Sequence, residues 1–447
     1  MRAASSAFPS AKQGMASGRL LVEILSIGDE LLIGQTVNTN AAWMGRLLEN
    51  EGWRVNRCVA VSDEEQAITE ALVDAESRAE LVLVTGGLGP TRDDITKHVL
   101  CRHFDTELVR HPEIEARIVA WFERRGREVL PVNRDQALLP AACFPLDNPL
   151  GTASGMWFDR PGGVTVSMPG VPYEMEYIME HGVMPTMRSR LSDAGRLPQR
   201  GHRSLLTMGT GESQLAKRLG EMEDVLEEKG IKLAYLPSPG SVRIRLTAEG
   251  ASISGLDRAH ADVKERLAEW VVSDTGVSVE EELATLFKGE GWTLSVAESC
   301  TGGALGGALV ARPGASGFFR GGVQSYANEA KVEMLGVPAE MIEAHGAVSE
   351  EVARAMAEGV RQRLGADYGV SITGIAGPDG GSEAKPVGTV FIACAGPEGT
   401  VCEHHRFGRD RARNQGMAVR AACRLVLQVG LSKKGNAKAV QGVADSL

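Results

Sequence analysis

The sequence predicts an α/β protein of about three domains, each with its own core. Three observations carry that prediction. The 447 residues amount to about three domains at roughly 150 residues each. Apolar runs that read as buried strands, such as LLVEILSIG (20–28) and AELVLVTGG (79–87), alternate with helix-like stretches such as AAWMGRLLENEG, which is the order of right-handed βαβ units. Glycine, at 53 of 447 residues, exceeds the average of about 7 %. It clusters beside those strands, where tight loops and close backbone approach need it.

Composition then excludes several classes. Lys plus Arg number 48 and Asp plus Glu 58, a net charge of −10, whereas a duplex binder presents positive charge on at least one face. Nucleic acid is therefore not an expected partner. An uninterrupted apolar run of about 18 residues is missing, so a membrane span is not expected either. The seven cysteines, Cys58, Cys101, Cys143, Cys300, Cys394, Cys402 and Cys423, are odd in number and never two residues apart. That pattern suits buried thiols in a reducing, cytoplasmic compartment. Residues 1–19 are small and polar without an apolar h-region, and read as a disordered tail, not a secretory leader. Met15 is an alternative start to Met1.

The first block spans 20–184. After LLVEILSIG and its helix, WRVNRCVAV (53–61) reads as a second strand. A helix should then start at Ser62-Asp63-Glu64-Glu65, capped by Ser62 or Asp63. AELVLVTGG is the third strand, apolar enough for the inside of a parallel sheet. The middle block, 185–275, changes character. LSDAGRLPQRGHRS reads as loop, SQLAKRLGEMEDVLEEKG as one charged amphipathic helix, SVRIRLTAEG as an alternating strand and RAHADVKERLAEWVVS as a closing helix. This is a small α+β module. In the third block, 278–432, WTLSVAES, ADYGVSITGIAGP and VGTVFIACAG read as strands, TGGALGGALVA and RNQGMAVRAACRLVLQV as helices. Residues 433–447 read as a tail.

One constellation suits phosphate and a hard cation. The run Thr85 to Asp94, TGGLGPTRDD, leaves a predicted strand, and ligands of open α/β sheets collect at the C-terminal strand ends. Gly86, Gly87 and Gly89 let backbone N–H groups approach phosphate oxygens, with Thr91 beside them. Asp93 and Asp94 suit Mg²⁺, which takes one or two carboxylates plus water and substrate phosphate. Further loops bring Asp29, Asn38 and Asn40, then Asn148 and Gly151, and then the run Pro169 to Glu174. A TGG turn alone is also an ordinary structural turn, and paired Asp residues also serve as helix caps; four such loops together argue for a site.

The other constellation suits nucleophilic catalysis. Ser299, in AESCTGG, stands at a strand-to-helix junction, where its hydroxyl is exposed and helix amides can stabilise an oxyanion. Lys331, in SYANEAK, can act as base once desolvated, and Ser316 can relay or orient. Cys300 is a rival nucleophile, though without a placed histidine it reads as buried. Equally, the small residues can simply pack a helix, and Lys331 can be a solvated helix charge.

Several runs together resemble one family. IGDELLIGQTVNTN, TGGLGPTRDDIT, NPLGTASG and MPGVPYEM are similar to the amino-terminal half of the CinA family (competence/damage-inducible protein A), with Ser154 where its NPxGTAPG run has proline. That resemblance implies a MoaB/MogA-like three-layer domain acting as a pyrophosphatase on ADP-ribose and related dinucleotides, with Mg²⁺ or another divalent metal and K⁺ as a further candidate ion. AESCTGG, GGVQSYANEAK and SITGIAGPDGGSEAKPVGTV resemble the CinA carboxy-terminal domain, which is similar to nicotinamide-mononucleotide (NMN) deamidase and needs no cofactor. GTGES (209–213) resembles the loop of a KH fold, which makes the middle module KH-like. The resemblance implies Ser299 as nucleophile and Lys331 as base, with Tyr326, Ser316 and Thr373 completing the site. Gly302, Gly303, the Gly374 to Gly377 loop and Arg411 or Arg413 would contact substrate, a guanidinium suiting phosphate. The family's phenylalanine–GDR run stands here as Phe407-Gly408-Arg409-Asp410-Arg411, its glycine displaced.

The expectation is thus a two-activity hydrolase of pyridine-nucleotide salvage, with small nucleotides as partners and a homo-oligomeric, dimeric state. Two other readings stand beside it: a pterin- or nucleotide-binding scaffold without turnover, and a partner protein of competence or DNA damage.

Overall fold

The computed structural model describes residues 20–91, 94–408 and 410–433; both expected tails (save Lys433), Asp93 and Arg409 lie outside them. The chain divides into two compact units, 1–200 and 201–447.

The first unit is built on a six-stranded sheet. Its strands are β1 (Leu21–Ile27), β2 (Arg54–Val61), β3 (Leu81–Thr85), β6 (Phe144–Leu146), β7 (Gly155–Arg160) and β8 (Gly163–Met168), in the order β2-β1-β3-β8-β7-β6. Short β4 (Leu108–Arg110) and β5 (Leu138–Pro140) pair separately. β2, β1, β3 and β8 are parallel, β7 runs against them, and the edge strand β6, antiparallel to β7, shares their direction. Alternation along the strands divides the core. Val22, Ile24, Leu81 and Leu83 pack with Met44 and Met175, while Leu25, Ile27, Val82 and Val84 pack with Ile68, Leu72 and Val99. Helices thus cover both faces, and the layers number three.

One local expectation fails. The helix Glu65–Arg78 has Glu64 at its N-cap and no side-chain cap. Asp63 turns away and accepts the Asp29 N–H at 3.1 Å, because that amide begins the short helix Asp29–Leu32 and lacks a helical acceptor.

In the second unit, β9 (Arg200–Met208), β10 (Ile231–Ser238), β11 (Ser241–Glu249) and β12 (Val271–Ser273) form a sheet in the order β10-β11-β9-β12. Three expectations are corrected in this stretch. Residues read as loop belong partly to the helix Met184–Asp193, which buries Met184, Met187 and Leu191 in the first unit, and partly to β9, which buries Leu205 in the second. Of these buried positions only Leu191 falls within the stretch read as loop, where the polar residues that follow it masked the end of the helix. The single charged helix is two, Glu212–Leu219 and Met222–Glu228, separated by Gly220 at φ +50°. The closing helix stops at Arg266, and Val271-Val272-Ser273 pairs with β9 instead, as β-branched residues at a sheet edge favour.

The other sheet holds β13 (Leu294–Glu298), β14 (Phe319–Gln324), β15 (Tyr368–Gly374), β16 (Thr389–Gly396) and β17 (Gly399–Arg406), in the order β14-β13-β15-β16-β17. β14, β13 and β15 are parallel; β16 and β17 are antiparallel additions. The helices Val279–Glu290 and Arg411–Lys433 pack on one face, around Phe287, Val296 and Ala422. Glu350–Leu364 packs on the other, around Met356 and Val360. Parallel β13 and β15 end side by side, and the chemistry gathers at that end.

Candidate functional site

Ser299 is the first residue beyond β13, and its amide donates to Ile372 O of β15 at 3.0 Å. The nucleophile candidate is therefore fixed by two strands at once. Lys331 lies on the helix Asn328–Leu335 and is 1 % exposed. Its Nζ donates to Ser299 Oγ at 3.3 Å, to Ser325 O at 2.8 Å and to Tyr326 O at 3.2 Å. Burial holds this ammonium below the usual lysine range, against the pull of Cys300 and Glu329. No carboxylate pairs with it among the described residues. An amine desolvated in this way and touching a hydroxyl is equipped to take the proton of that hydroxyl.

Burial treats the neighbouring thiol the other way. Cys300 is 5 % exposed and its pKa is pushed up to about 11, so it stays a neutral thiol near pH 7. Thr373, next to last in β15 and beside Ile372, is buried, with its hydroxyl donating to Ala347 O at 2.8 Å. Tyr326 contributes its carbonyl to the lysine while its ring is exposed. Ser316 lies exposed in the turn Ala315–Gly317 and makes no hydrogen bond to the Ser299–Lys331 pair.

The expected use of helix amides is corrected. Glu298, 2 % exposed, accepts the N–H groups of Gly303 at 3.1 Å, Leu305 at 2.9 Å and Gly306 at 2.8 Å. Its carboxylate thus occupies the N-terminus of the helix Ala304–Val310, and those amides cannot face an oxyanion. The Gly302 amide closes the turn onto Ser299 O. Gly303, at φ +103°, holds a backbone conformation that disfavours any side chain, and a Cβ there would push aside Gln324 Nε2, 2.4 Å away. What remains open beside the nucleophile is the Thr301 hydroxyl, buried without a partner, and likewise the Ser325 hydroxyl.

The glycine loop after β15 is held from the last helix. Arg411 donates to Gly377 O at 2.9 Å. Asn414, 1 % exposed, donates to Ala376 O and Gly408 O, each at 3.0 Å. Gln415 donates to Cys300 O at 2.7 Å. Asn414 and Gln415 escaped the sequence reading, because beside Arg411 and Arg413 they look like an ordinary polar helix start. Gly374 has no space for a Cβ, which would meet Thr389 O at 2.8 Å. The Arg413 side chain is exposed and bonds nothing in this loop.

At the strand ends of the first unit, Asn40 donates to Gly170 O at 2.8 Å and Thr85 Oγ1 at 3.2 Å, and Thr85 donates to Pro169 O at 2.8 Å. Three loops are tied by one side chain, whose Oδ1 stays buried without a partner. Asn38 caps the helix Thr39–Asn50, accepting from Ala41 N–H at 3.0 Å and donating to Ser26 Oγ at 2.9 Å. Gly86, at φ +116°, passes so close to β1 that a Cβ would lie 2.1 Å from Ile27 O, and at Gly87 it would lie 2.1 Å from Thr96 Oγ1. Asp94 folds back, accepting from both Thr91 N–H at 2.8 Å and Thr91 Oγ1 at 2.5 Å, against Gly89.

Asn148 and Gly151 form a separate knot. Asn148 donates to Ala153 O at 2.7 Å and Glu174 Oε2 at 2.6 Å, and its Oδ1 receives the Gly151 N–H at 3.2 Å. Ser154, in the family's proline position, accepts from Arg117 Nη2 at 2.8 Å. Sequence reasoning took Asp63 only for a helix cap; here its carboxyl is raised by burial and by the nearby Asp29, Glu30 and Asp94 carboxylates, against the lowering effect of the Asp29 amide. The sequence reading passed over Lys97, which burial pulls down to about 8 near Asp94. Among the described residues no three metal-binding side chains converge, and Asp93 lies outside them.

Comparison with known proteins agrees with this architecture. Residues 23–189 match the probable molybdopterin binding domain, 202–274 the damage-inducible protein CinA KH domain, and 276–429 the CinA C-terminal domain. A CinA-like protein of Salinibacter ruber is 42 % identical over 404 residues, covering 90 % of this chain and 97 % of its own. One from Gemmatimonas aurantiaca is 44 % identical over 386 residues, covering 83 % and 87 %. The crystal structure of competence/damage inducible protein CihA from Agrobacterium tumefaciens is 40 % identical, covering 33 % of this chain and 93 % of that one, with a TM-score of 0.33. With a MoaB/MogA-like domain, a KH-like module and a CinA C-terminal domain in that order, the chain belongs to the CinA family.

Proposed function

We propose that the C-terminal domain is a serine amidase that deamidates NMN, and that the N-terminal domain hydrolyses the pyrophosphate of ADP-ribose or a related dinucleotide. The observation that carries the first half is the buried Lys331 amine 3.3 Å from Ser299 Oγ. The neutral amine takes the hydroxyl proton as Oγ attacks the carboxamide carbon, and the resulting ammonium protonates the leaving nitrogen, which departs as ammonia. Water then attacks the acyl-enzyme, with Lys331 again receiving its proton, and nicotinate mononucleotide leaves as Ser299 regains its hydrogen. The Ser325 and Tyr326 carbonyls aim the amine. The unpartnered Thr301 hydroxyl is the donor best placed by sequence to meet charge developing on the carboxamide oxygen. Arg411, beside the Gly377 loop, suits the nucleotide phosphate.

For the second half, the donor set at the strand ends is all oxygen, as a hard cation requires. The nearness of Asp29, Glu30 and Asp94 to Asp63, which helps to raise its carboxyl, fits a divalent ion held by one or two carboxylates and substrate phosphate. Asp29 and Asp94, with Asp93, are the residues that would hold it. Such an ion supplies charge neutralisation of the pyrophosphate; the backbone at Gly86 and Gly87 and the Asn40 tie shape the cradle. Purified full-length protein should release ammonia from NMN with and without chelator, and cleave ADP-ribose only without it. Failure to release ammonia under both conditions would sink the amidase reading.

A further inference from the structure

The β10–β11 hairpin and the helix Arg411–Lys433 meet along a seam holding two adjoining hollows, of about 260 and 580 Å³, which share Ser238 and Arg420. Arg243 lines the first hollow and Arg413 the second. Arg420 Nε is buried with no hydrogen-bond partner. Among the described residues, none of these three arginine side chains has a salt bridge, while more than half of the other arginines pair with Asp or Glu. Glu280 also lines the first hollow, so three guanidinium groups stand against one carboxylate. In a chain of net charge −10, carboxylates to pair with are plentiful, and a buried N–H left without an acceptor costs free energy.

We infer that this seam is an anion site, taking the phosphate of a small molecule such as a nucleotide. Guanidinium groups match phosphate oxygens in geometry and charge, and the Ser238 hydroxyl adds a neutral donor. Both hollows border the helix whose first residue, Arg411, holds the Gly377 loop, yet the site shares no residue with the Ser299–Lys331 pair. The inference therefore stands whether or not the amidase reading does.

Hydrogen exchange of the full-length protein locates binding directly. Millimolar pyrophosphate, and AMP in a separate arm, should slow exchange in β10, β11 and residues 411–420. Arg243→Gln and Arg420→Gln should each weaken that protection by about tenfold or more, the loss expected of one charge-assisted contact. Arg243 is exposed on β11, so its variant should fold and decide the matter if Arg420→Gln does not. Protection at lower concentration by AMP identifies a nucleotide site, and by pyrophosphate a free-phosphate site; either supports the inference. It is overturned if neither anion protects the seam, if Arg243→Gln leaves the protection unchanged, or if only a single-stranded RNA protects it.

Discussion

Replacing Lys331 with methionine removes the amine that lies 3.3 Å from Ser299 Oγ and keeps an unbranched chain in a site 1 % exposed. A general base contributes roughly 10²–10⁴-fold, so ammonia release from NMN should slow by that factor, or ~3–5 kcal/mol of transition-state stabilisation. Lys331→Arg should fall as far, because a guanidinium stays protonated. The Ser299→Ala, Lys331→Met double variant should be hardly slower than either single one, since the two act as a unit. An ordinary lysine, at 10.5, would be only ~0.03 % neutral at pH 7. Because burial lowers this one, the wild-type rate should climb with pH and level off below 10.5. Stability carries the same signature. Between the lowered pKa and 10.5 the unfolded chain binds a proton that the native state does not, so stability rises with pH across that window. Below it the penalty of burying the ammonium is fully present. Methionine relieves that penalty but strands the Ser325 and Tyr326 carbonyls, at about 1–3 kcal/mol. The variant's melting temperature near pH 7 should therefore move by only a few degrees, and its pH slope should vanish. A variant retaining more than about a tenth of the wild-type rate, or a flat wild-type pH profile, would refute Lys331 as base.

Other expectations are as direct. Ser299→Ala should abolish ammonia release while Cys300→Ala largely spares it, because a thiol near 11 is almost wholly protonated at neutral pH; the opposite pattern would favour a cysteine mechanism. Glu298→Ala should lower stability by several kcal/mol in denaturant titration, about 1–3 for each of three amides losing a charged acceptor, with turnover falling as the nucleophile turn loosens. Unchanged stability would show that water replaces the carboxylate. Gly86→Ala should impair ADP-ribose cleavage and leave NMN deamidation intact, as its Cβ would collide with Ile27 O; assays of both activities on one preparation check this. Chelator should silence only ADP-ribose cleavage, and equal loss of both activities would contradict separate sites.

Much of the site was written in local sequence because it depends on local rules. Val22, Ile24, Leu81 and Leu83 alternate with Leu25, Ile27, Val82 and Val84, and that pattern alone specifies a sheet covered on both faces. The glycines after β3 and the serine after β13 follow from where strands end, so Gly86, Gly87 and Ser299 are legible in the chain alone. What sequence could not decide is which partner a polar side chain meets across the fold. Lys331 reads equally as a solvated helix charge; only the packing of its helix against β14 and the helix Glu350–Leu364 buries it and brings its amine to a residue 32 positions away. Glu298 shows the same limit from the other side. A strand carboxylate preceding a glycine-rich helix gives no sign of its donors, and the turn that follows it folds it onto the very amides expected to face substrate. Asp63 likewise abandons its own helix for the Asp29 amide. Periodicity encodes burial, which is a property of one segment, whereas hydrogen bonds and pKa shifts are set by pairs of segments that meet only when the chain folds.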